Sequence, residues 1–193
     1  MVKSTGYKKV KSAVFISGTG SNLKSLIKFS KTNQSPISID LIVSDNPKAV
    51  GLKYGKIFKI RKKIFNFGKE NQIESKILHV LKRYDIKMIF LAGFMKILSR
   101  RFIIKFKGKI LNIHPSLLPK YKGLNTHQRV LNNNEKYSGC TVHFVNYKLD
   151  SGKIILQKKV KISKNDTKDS LARKILLEEH RLYPKAILKV FNL

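Results

Sequence analysis

The chain has 193 residues and a formal net charge of +30, with 42% hydrophobic and 9% aromatic residues. This composition fits one globular domain with a single core and excludes a disordered chain. The one cysteine, Cys140, excludes an intrachain disulfide and makes the cytoplasm the expected compartment. No apolar stretch approaches the length of a membrane span.

The positive charge is spread along the whole chain, and only seven of the 41 basic residues are arginine. A nucleic-acid-binding protein more often clusters its charge and uses arginine forks. The even spread therefore suggests that the charge comes from a lysine-rich proteome and not from a nucleic-acid-binding surface. Non-specific binding to nucleic acid stays open. In either case the charge would steer anionic ligands toward the protein.

The chain opens with a basic segment, and we expect residues 1–10 to form a disordered tail on a single domain that covers residues 1–193. The apolar run Val14–Ile16 then predicts a buried strand, followed by a tight glycine turn at Gly18–Asn22 and a helix. Backbone N–H groups and the helix dipole would favour an anion at this turn. A plain turn capped by Ser21 is an equally good interpretation, because the third glycine of a dinucleotide fingerprint is missing.

The remaining pattern alternates between strands and helices. Further strands are expected at residues 37–43, 57–60, 88–92, 109–113, 141–145 and 154–162, and helices at 49–54, 69–84, 102–106, 126–131 and from 166 or 167 to beyond 184. This order predicts an α/β fold: an open, mainly parallel twisted sheet with helices on both faces and an antiparallel C-terminal extension.

In open α/β sheets, ligands bind beyond the carboxyl ends of the strands, and Asn112 and His114 lie at one such end. Their spacing points both side chains to the same side of an extended segment. An amide and an imidazole together could stabilise an oxyanion, and a nearby carboxylate would orient the imidazole. Asp150 is a candidate because the chain has only 11 acidic residues. A structural histidine and an ordinary Asp-Ser-Gly turn remain the alternatives, since spacing alone does not show that His114 and Asp150 meet.

Other reactive side chains have simpler interpretations. Cys140, His127 and His143 do not form a metal-binding pattern, so we expect no metal, and Cys140 is expected to be a small core residue. The Leu118-Pro119 peptide bond is a candidate for the cis form in a tight turn.

Five segments carry a family resemblance when they are read together. They are Ile16–Leu23, Leu91–Leu98, Leu111–Tyr121, Gly139–Val145 and Leu149–Gly152. In this order they resemble the folate-dependent formyltransferases, and among them the phosphoribosylglycinamide formyltransferases of purine synthesis. The resemblance runs from about Ala13 to Pro184. The Asn-x-His-Pro-Ser-Leu-Leu-Pro block is typical of the whole folate-dependent group, and its combination with the first glycine turn is typical of the purine enzymes.

The resemblance implies a direct transfer of the formyl group of 10-formyltetrahydrofolate to the amine of glycinamide ribonucleotide. The sequence leaves open whether the protein is a monomer or a homodimer. It implies that Asn112 and a protonated His114 stabilise the tetrahedral oxyanion. Asp150 would raise the pKa of His114 and help to move a proton from the amine through water. Such an attack needs orientation, an oxyanion site and a proton path, but neither a metal nor a covalent nucleophile.

The same resemblance implies the binding residues. Gly20, Ser21 and Asn22 would bind the substrate phosphate, and Glu179 would bind its ribose. The folate pocket would be formed by Met95, Lys96, Ile97, Leu98, Asn112, Asn146, Leu149 and Asp150.

This chain departs from the family pattern at four places. No arginine stands near Lys69-Glu70, where the family has one for the folate tail, and Lys96 stands where arginine is frequent. Lys122 replaces a common proline, and Ser151 replaces a common glycine. None of these changes touches Asn112, His114 or Asp150.

Three alternatives are weaker. Methionyl-tRNA formyltransferase is expected to carry an extra C-terminal domain, and formyltetrahydrofolate hydrolase an extra N-terminal one. A basic nucleic-acid-binding module would leave the set of Asn112, His114 and Asp150 unexplained.

Overall fold

The computed structural model describes residues 8–67 and 70–193. The strands are β1 (Val10–Ile16), β2 (Ile37–Ser44), β3 (Arg61–Ile64), β4 (Met88–Leu91), β5 (Lys109–His114), β6 (Tyr137–Phe144) and β7 (Ile154–Lys161). The helices are α1 (Ser21–Ser30), α2 (Lys53–Ile57), α3 (Glu70–Arg83), α4 (Arg100–Lys105), α5 (Thr126–Asn132) and α6 (Lys168–Val190). The chain divides into two compact units, residues 1–110 and residues 111–193. The expectation of a single domain stays a prediction.

The described strands form one sheet in the order β3-β2-β1-β4-β5-β6-β7. In the first unit, β1 pairs in parallel with β2 and β4, and β2 pairs in parallel with β3. Residues 13–16 of β1 and all four residues of β4 are buried, as fully apolar runs in parallel sheets are. Each buried Val, Ile, Leu, Phe or Met side chain among them contributes about 1.5–3 kcal/mol by leaving water. The predicted fold class is confirmed.

The prediction of a strand at residues 57–60 is wrong. Residue Ile57 ends α2, and the strand lies instead at Arg61–Ile64. The chain leaves the helix through Lys59, whose φ of 55° is left-handed, and the Ile60 N–H donates to the Gly55 carbonyl oxygen at 2.9 Å. All four side chains of β3 are exposed at the edge of the sheet, so no apolar pattern marks this strand. The expected helix at 49–54 is a 3₁₀ turn that leads into α2.

The second unit is antiparallel. Strand β6 pairs with β5 on one side and with β7 on the other, as the predicted C-terminal extension requires. Helix α6 begins after Thr167, whose hydroxyl accepts from the Ser170 N–H in a capping box. Its Tyr183 is fully buried and donates to the Leu111 carbonyl oxygen at 2.9 Å. This bond satisfies a hydroxyl that burial would otherwise leave unpaired.

The expectation of a disordered tail at residues 1–10 stays a prediction. Residue Val10 already belongs to β1, and the Lys9 ammonium donates to the carbonyl oxygens of Ser30 at 2.7 Å and Thr32 at 2.8 Å. Residues 1–7 of that tail, and Lys69, lie outside the described residues. The predicted cis peptide bond at Leu118-Pro119 is confirmed. Among the described helices, none has the length and apolar composition that crossing a bilayer requires.

Candidate active site

The structure brings Asn112, His114 and Asp150 together within the second unit. The Asp150 Oδ2 atom lies 3.4 Å from His114 Nδ1, and its Oδ1 accepts from Asn112 Nδ2 at 3.4 Å. Asn112 and His114 are two residues apart on β5, so their side chains point to the same side of the strand and both reach the Asp150 carboxylate. The side chains of His114 and Asp150 are each 8% exposed. A half-buried amide, a buried imidazole and a buried carboxylate therefore lie next to one another.

The turn that carries Asp150 is fixed against the end of β6. Asp150 has a left-handed φ of 45°. A Cβ atom on Gly152 would lie 1.6 Å from the Phe144 carbonyl oxygen, so only glycine fits there. The Phe144 N–H donates to the Lys153 carbonyl oxygen at 2.9 Å. This close approach holds the Asp150 carboxylate at a defined place.

Both ring nitrogens of His114 face oxygen acceptors. Atom Nε2 lies 2.9 Å from the Tyr121 carbonyl oxygen, while Nδ1 faces Asp150. Because a carbonyl oxygen and a carboxylate can both only accept, a neutral ring donates to one of them and a protonated ring donates to both. Burial lowers the pKa of His114, although the Tyr121 carbonyl and the Asp150 charge act to raise it. A ring that takes up a proton therefore finds an acceptor at each nitrogen.

The role of a protonated His114, which the resemblance implies, stays a prediction. Asp150 acts on the pKa of His114 in the expected direction, but burial is the larger cause and reverses the net shift.

Asp150 itself remains ionised. Burial acts to raise its pKa, but the nearby His143 ring, the hydrogen bond from the Gly123 N–H and the nearby His114 ring outweigh it, and the net shift is downward. The Gly123 N–H donates to Asp150 Oδ2 at 2.9 Å. The carboxylate can therefore stabilise a positive charge on His114 once a proton arrives.

His143 is a member of the cluster that the sequence interpretation missed. It is the cross-strand partner of Asn112 in the β5–β6 pair. Its Nε2 lies 3.2 Å from Asn112 Nδ2 and 3.7 Å from Asp150 Oδ1, and its Nδ1 lies 2.8 Å from the Phe144 carbonyl oxygen. In the neutral ring, Nδ1 donates to that carbonyl and Nε2 accepts from Asn112, which orients the amide. The register of an antiparallel pair with β5 would have revealed it.

The predicted anion site lies in the first unit. Gly20 occupies the N-cap position of α1 with a left-handed φ of 72°, and no side chain caps the helix. The alternative of a turn capped by Ser21 is therefore not what the structure contains. A Cβ atom on Gly20 would lie 2.7 Å from Gly51 Cα, and the Gly51 N–H donates to the Gly18 carbonyl oxygen at 3.0 Å. The first turn of α1 carries no acidic residue, so its dipole favours an anion.

The four consecutive residues predicted for the folate pocket differ in exposure. Met95 and Ile97 are 62% and 69% exposed, whereas Leu98 is buried. Lys96 lines a cavity of about 560 Å³ within the first unit. That cavity is also lined by Ser17, Asp45, Asn46, Pro47, Asn66, Phe67 and Met95.

The remaining predicted binding residues lie in the second unit. Asn146 braces the turn before β7, because its Oδ1 accepts from the Lys148 N–H at 2.9 Å and its Nδ2 donates to the Ser151 carbonyl oxygen at 3.3 Å. Leu149 is 51% exposed. Glu179 is a buried carboxylate on α6.

Cys140 is a buried core residue, as expected. Burial raises the pKa of its thiol to about 12, and the charges of Glu179 and Glu178 add to the effect. The thiol therefore stays protonated and is no nucleophile. Burial also lowers the pKa of His127. Within residues 8–67 and 70–193, no group of three or more His, Cys, Asp or Glu side chains could hold a metal ion.

Comparison with known proteins assigns the chain to a family. Residues 10–187 match the family described as formyl transferase, so the chain belongs to the formyl transferase family. Among its relatives is the phosphoribosylglycinamide formyltransferase of Haemophilus influenzae, which is 41% identical over 180 residues, covering 92% of this chain and 85% of that protein. The crystal structure of phosphoribosylglycinamide formyltransferase from Brucella melitensis has 42% identity and a TM-score of 0.89, over 95% of this chain and 96% of that one.

The chain also matches part of a longer protein. It is 41% identical over 183 residues to the Homo sapiens trifunctional purine biosynthetic protein adenosine-3, covering 93% of this chain but only 18% of that protein. The resemblance stated from the five sequence segments is confirmed by these relatives.

Proposed function

We propose that the chain transfers the formyl group of 10-formyltetrahydrofolate to the amine of glycinamide ribonucleotide, giving formylglycinamide ribonucleotide and tetrahydrofolate. The observation that carries the proposal is the buried contact between His114 and Asp150, with Asn112 on the same carboxylate. The family match and the Haemophilus and Brucella relatives support the choice of substrates.

The first chemical step is attack of the amine nitrogen on the formyl carbon. A C–N bond forms, and the carbonyl π electrons move to oxygen, giving a tetrahedral oxyanion and an ammonium group. The unprotonated nitrogen of the neutral His114 ring accepts the ammonium proton directly or through water. The imidazolium then has acceptors on both nitrogens, the Tyr121 carbonyl oxygen and Asp150, so its charge is compensated.

The oxyanion is stabilised by Asn112 and by the charge that His114 has gained. The two amide hydrogens of Asn112 are directed to His143 Nε2 at 3.2 Å and Asp150 Oδ1 at 3.4 Å. Both contacts are long, so one can be exchanged for the oxyanion at little cost. The proton then passes through water to the departing folate nitrogen, the carbon–nitrogen bond to folate breaks, and the oxyanion collapses to the new formamide.

Binding is assigned to separate groups. The uncapped end of α1, at Gly20, Ser21 and Asn22, binds the substrate phosphate, and Glu179 binds the ribose hydroxyls. The exposed Met95 and Ile97, with Lys96 and Leu98, contact the folate, as do Asn146 and Leu149. Lys96 would meet a folate carboxylate as a point charge rather than as a fork. The cytoplasm is the proposed compartment.

The test is a spectroscopic assay of tetrahydrofolate formation with the purified chain. We expect turnover with glycinamide ribonucleotide and 10-formyltetrahydrofolate, and none when methionyl-tRNA replaces the ribonucleotide. Turnover with methionyl-tRNA but not with glycinamide ribonucleotide would overturn the assignment of the substrate. Boiled enzyme and a reaction without the amine give the background of folate breakdown.

A further inference from the structure

Arg129 on α5 contacts three residues of the segment Tyr121–Leu124. Its Nη1 donates to the carbonyl oxygens of Lys122 at 2.6 Å and Leu124 at 3.4 Å, which flank Gly123. Its guanidinium carbon lies 5.5 Å from the centre of the Tyr121 ring. One arginine thus binds this segment through two carbonyls and one aromatic face.

The same segment supplies two backbone partners of the catalytic pair. The Tyr121 carbonyl oxygen faces His114 Nε2 at 2.9 Å, and the Gly123 N–H donates to Asp150 Oδ2 at 2.9 Å. A third bond joins it to the turn that carries Asp150, because Lys122 Nζ donates to Ser151 Oγ at 2.5 Å. The position of this segment therefore sets the surroundings of both His114 and Asp150.

Left-handed backbone occurs at two residues of this segment and at Asn125 just after it. Tyr121, Gly123 and Asn125 all have left-handed φ angles, of 57°, 76° and 55°. Left-handed non-glycine residues are costly and persist only where the surroundings impose them. Tyr121 is the one residue of the three whose type disfavours this φ, and Arg129 contacts its ring, while Glu135 and Asn133 bond to its hydroxyl.

We propose that Arg129 is a positioning residue, which holds the Gly123 N–H on Asp150 and the Tyr121 carbonyl on His114. The claim that this affects turnover rests on the proposed formyl transfer, whereas the positioning itself does not. Because a guanidinium donates from several N–H groups in one plane, it can bind two carbonyls at once, which a lysine ammonium on a flexible stem does less well.

Four proteins test this proposal: the wild type, Arg129→Met, Arg129→Lys, and Arg173→Met as a matched control. Arg173 is an exposed arginine on α6, so its replacement removes the same charge from the same unit. For each protein, NMR follows the Gly123 amide resonance as a function of pH, because that N–H is bonded to the Asp150 carboxylate. The kcat and KM for glycinamide ribonucleotide are measured in parallel.

We expect Arg129→Met to lose on the order of 10- to 100-fold in kcat with little change in KM, since a misplaced group lowers the rate more than it weakens binding. Its Gly123 amide should lose the Asp150 titration or show it at higher pH, because a carboxylate that loses a donor is a weaker acid. Arg129→Lys should fall between Arg129→Met and the wild type, and Arg173→Met should match the wild type.

The proposal is overturned if the Gly123 titration in Arg129→Met coincides with that of the wild type, or if Arg173→Met shows the same losses. If Arg129→Met does not fold, the same comparison made on Arg129→Lys decides the question. An altered Gly123 titration in a protein whose wild type does not formylate glycinamide ribonucleotide would support the positioning role and refute the proposed function.

Discussion

The glycine turn of the first unit and the proposed catalytic cluster of the second are built in opposite ways. The turn uses consecutive residues, Gly18–Asn22, and offers backbone groups at a helix end. The cluster joins side chains that are up to 38 residues apart, from β5, β6 and the turn before β7. An anion can be bound by a local backbone shape, whereas proton transfer needs titratable side chains that pairing of distant segments brings together. Changes in the turn should therefore affect binding, and changes in the cluster should affect the rate.

The largest effect is expected from Asp150→Asn. This change keeps the shape of the side chain but removes the charge that would stabilise His114 as an imidazolium. We expect kcat to fall by about 10³-fold or more, while the affinity for glycinamide ribonucleotide is retained. Steady-state kinetics and calorimetry measure the two quantities.

Asp166→Asn is the matched control for Asp150→Asn. Asp166 also lies in the second unit, where Lys174, with Ser170 and Ser163, lowers its pKa to about 2. It does not contact the cluster's residues named above, so its variant should lose some stability and keep its kcat. An equal fall of kcat in both variants would show that any lost carboxylate in this unit slows the enzyme.

A smaller effect, on binding, is expected from Gly20→Ala. A Cβ atom there would lie 2.7 Å from Gly51 Cα, at a φ that non-glycine residues avoid. The turn must shift, at a cost of about 1–3 kcal/mol, so we expect a higher KM for glycinamide ribonucleotide with kcat less affected. Initial-rate kinetics over a range of ribonucleotide concentrations separate the two.

Gly18→Ala is the control for Gly20→Ala. A Cβ atom on Gly18 would meet no heavy atom within 4 Å. The Gly18→Ala protein should therefore fold normally. Its KM for glycinamide ribonucleotide should change only if the substrate phosphate occupies the space of the added methyl group. If Gly20→Ala lowered kcat and left KM unchanged, the division between a binding turn and a catalytic cluster would fail.

The smallest expected effect is a pH dependence of stability that arises in the second unit. Burial lowers the pKa of His114, His127 and His180 below the ordinary value of 6.5. As the pH falls through 6.5, the unfolded chain binds protons before the folded one, so the free energy of unfolding should decrease until the folded-state pKa values are passed. Each unit of pKa shift corresponds to about 1.4 kcal/mol.

Guanidinium denaturation at about pH 7 and about pH 5 measures this decrease. The His127→Gln variant should show a weaker pH dependence with unchanged kcat. A free energy of unfolding that stays constant or increases on acidification would contradict the lowered pKa values.

The fold could be predicted where burial leaves a pattern in the sequence. The apolar run of β4 and the glycine turn before α1 were predicted from spacing alone, and so was the pairing of Asn112 with His114 on one side of β5. Strand β3 could not be predicted, because all of its side chains are exposed and its ends are set by hydrogen bonds to β2.

The rest of the site depends on distant contacts. His143 joins the cluster only through the register of β5 with β6, and the Tyr121 carbonyl and the Gly123 N–H are backbone groups that carry no mark in the sequence. The direction of the His114 pKa shift depends on how deeply the ring is buried. The spacing of residues in the sequence can suggest that a carboxylate lies near His114, but it does not show how deeply the ring is buried.

The most direct test of the account is the His114→Ala variant, purified from a host that lacks its own formyltransferase. Calorimetry measures its affinity for glycinamide ribonucleotide, and a single-turnover assay at saturating 10-formyltetrahydrofolate measures the chemical step. The account predicts an affinity near that of the wild type and a formyl-transfer rate lower by about 10³-fold or more, because both the proton acceptor and the positive charge beside the oxyanion are gone. A folded variant that transferred the formyl group at the wild-type rate would contradict it.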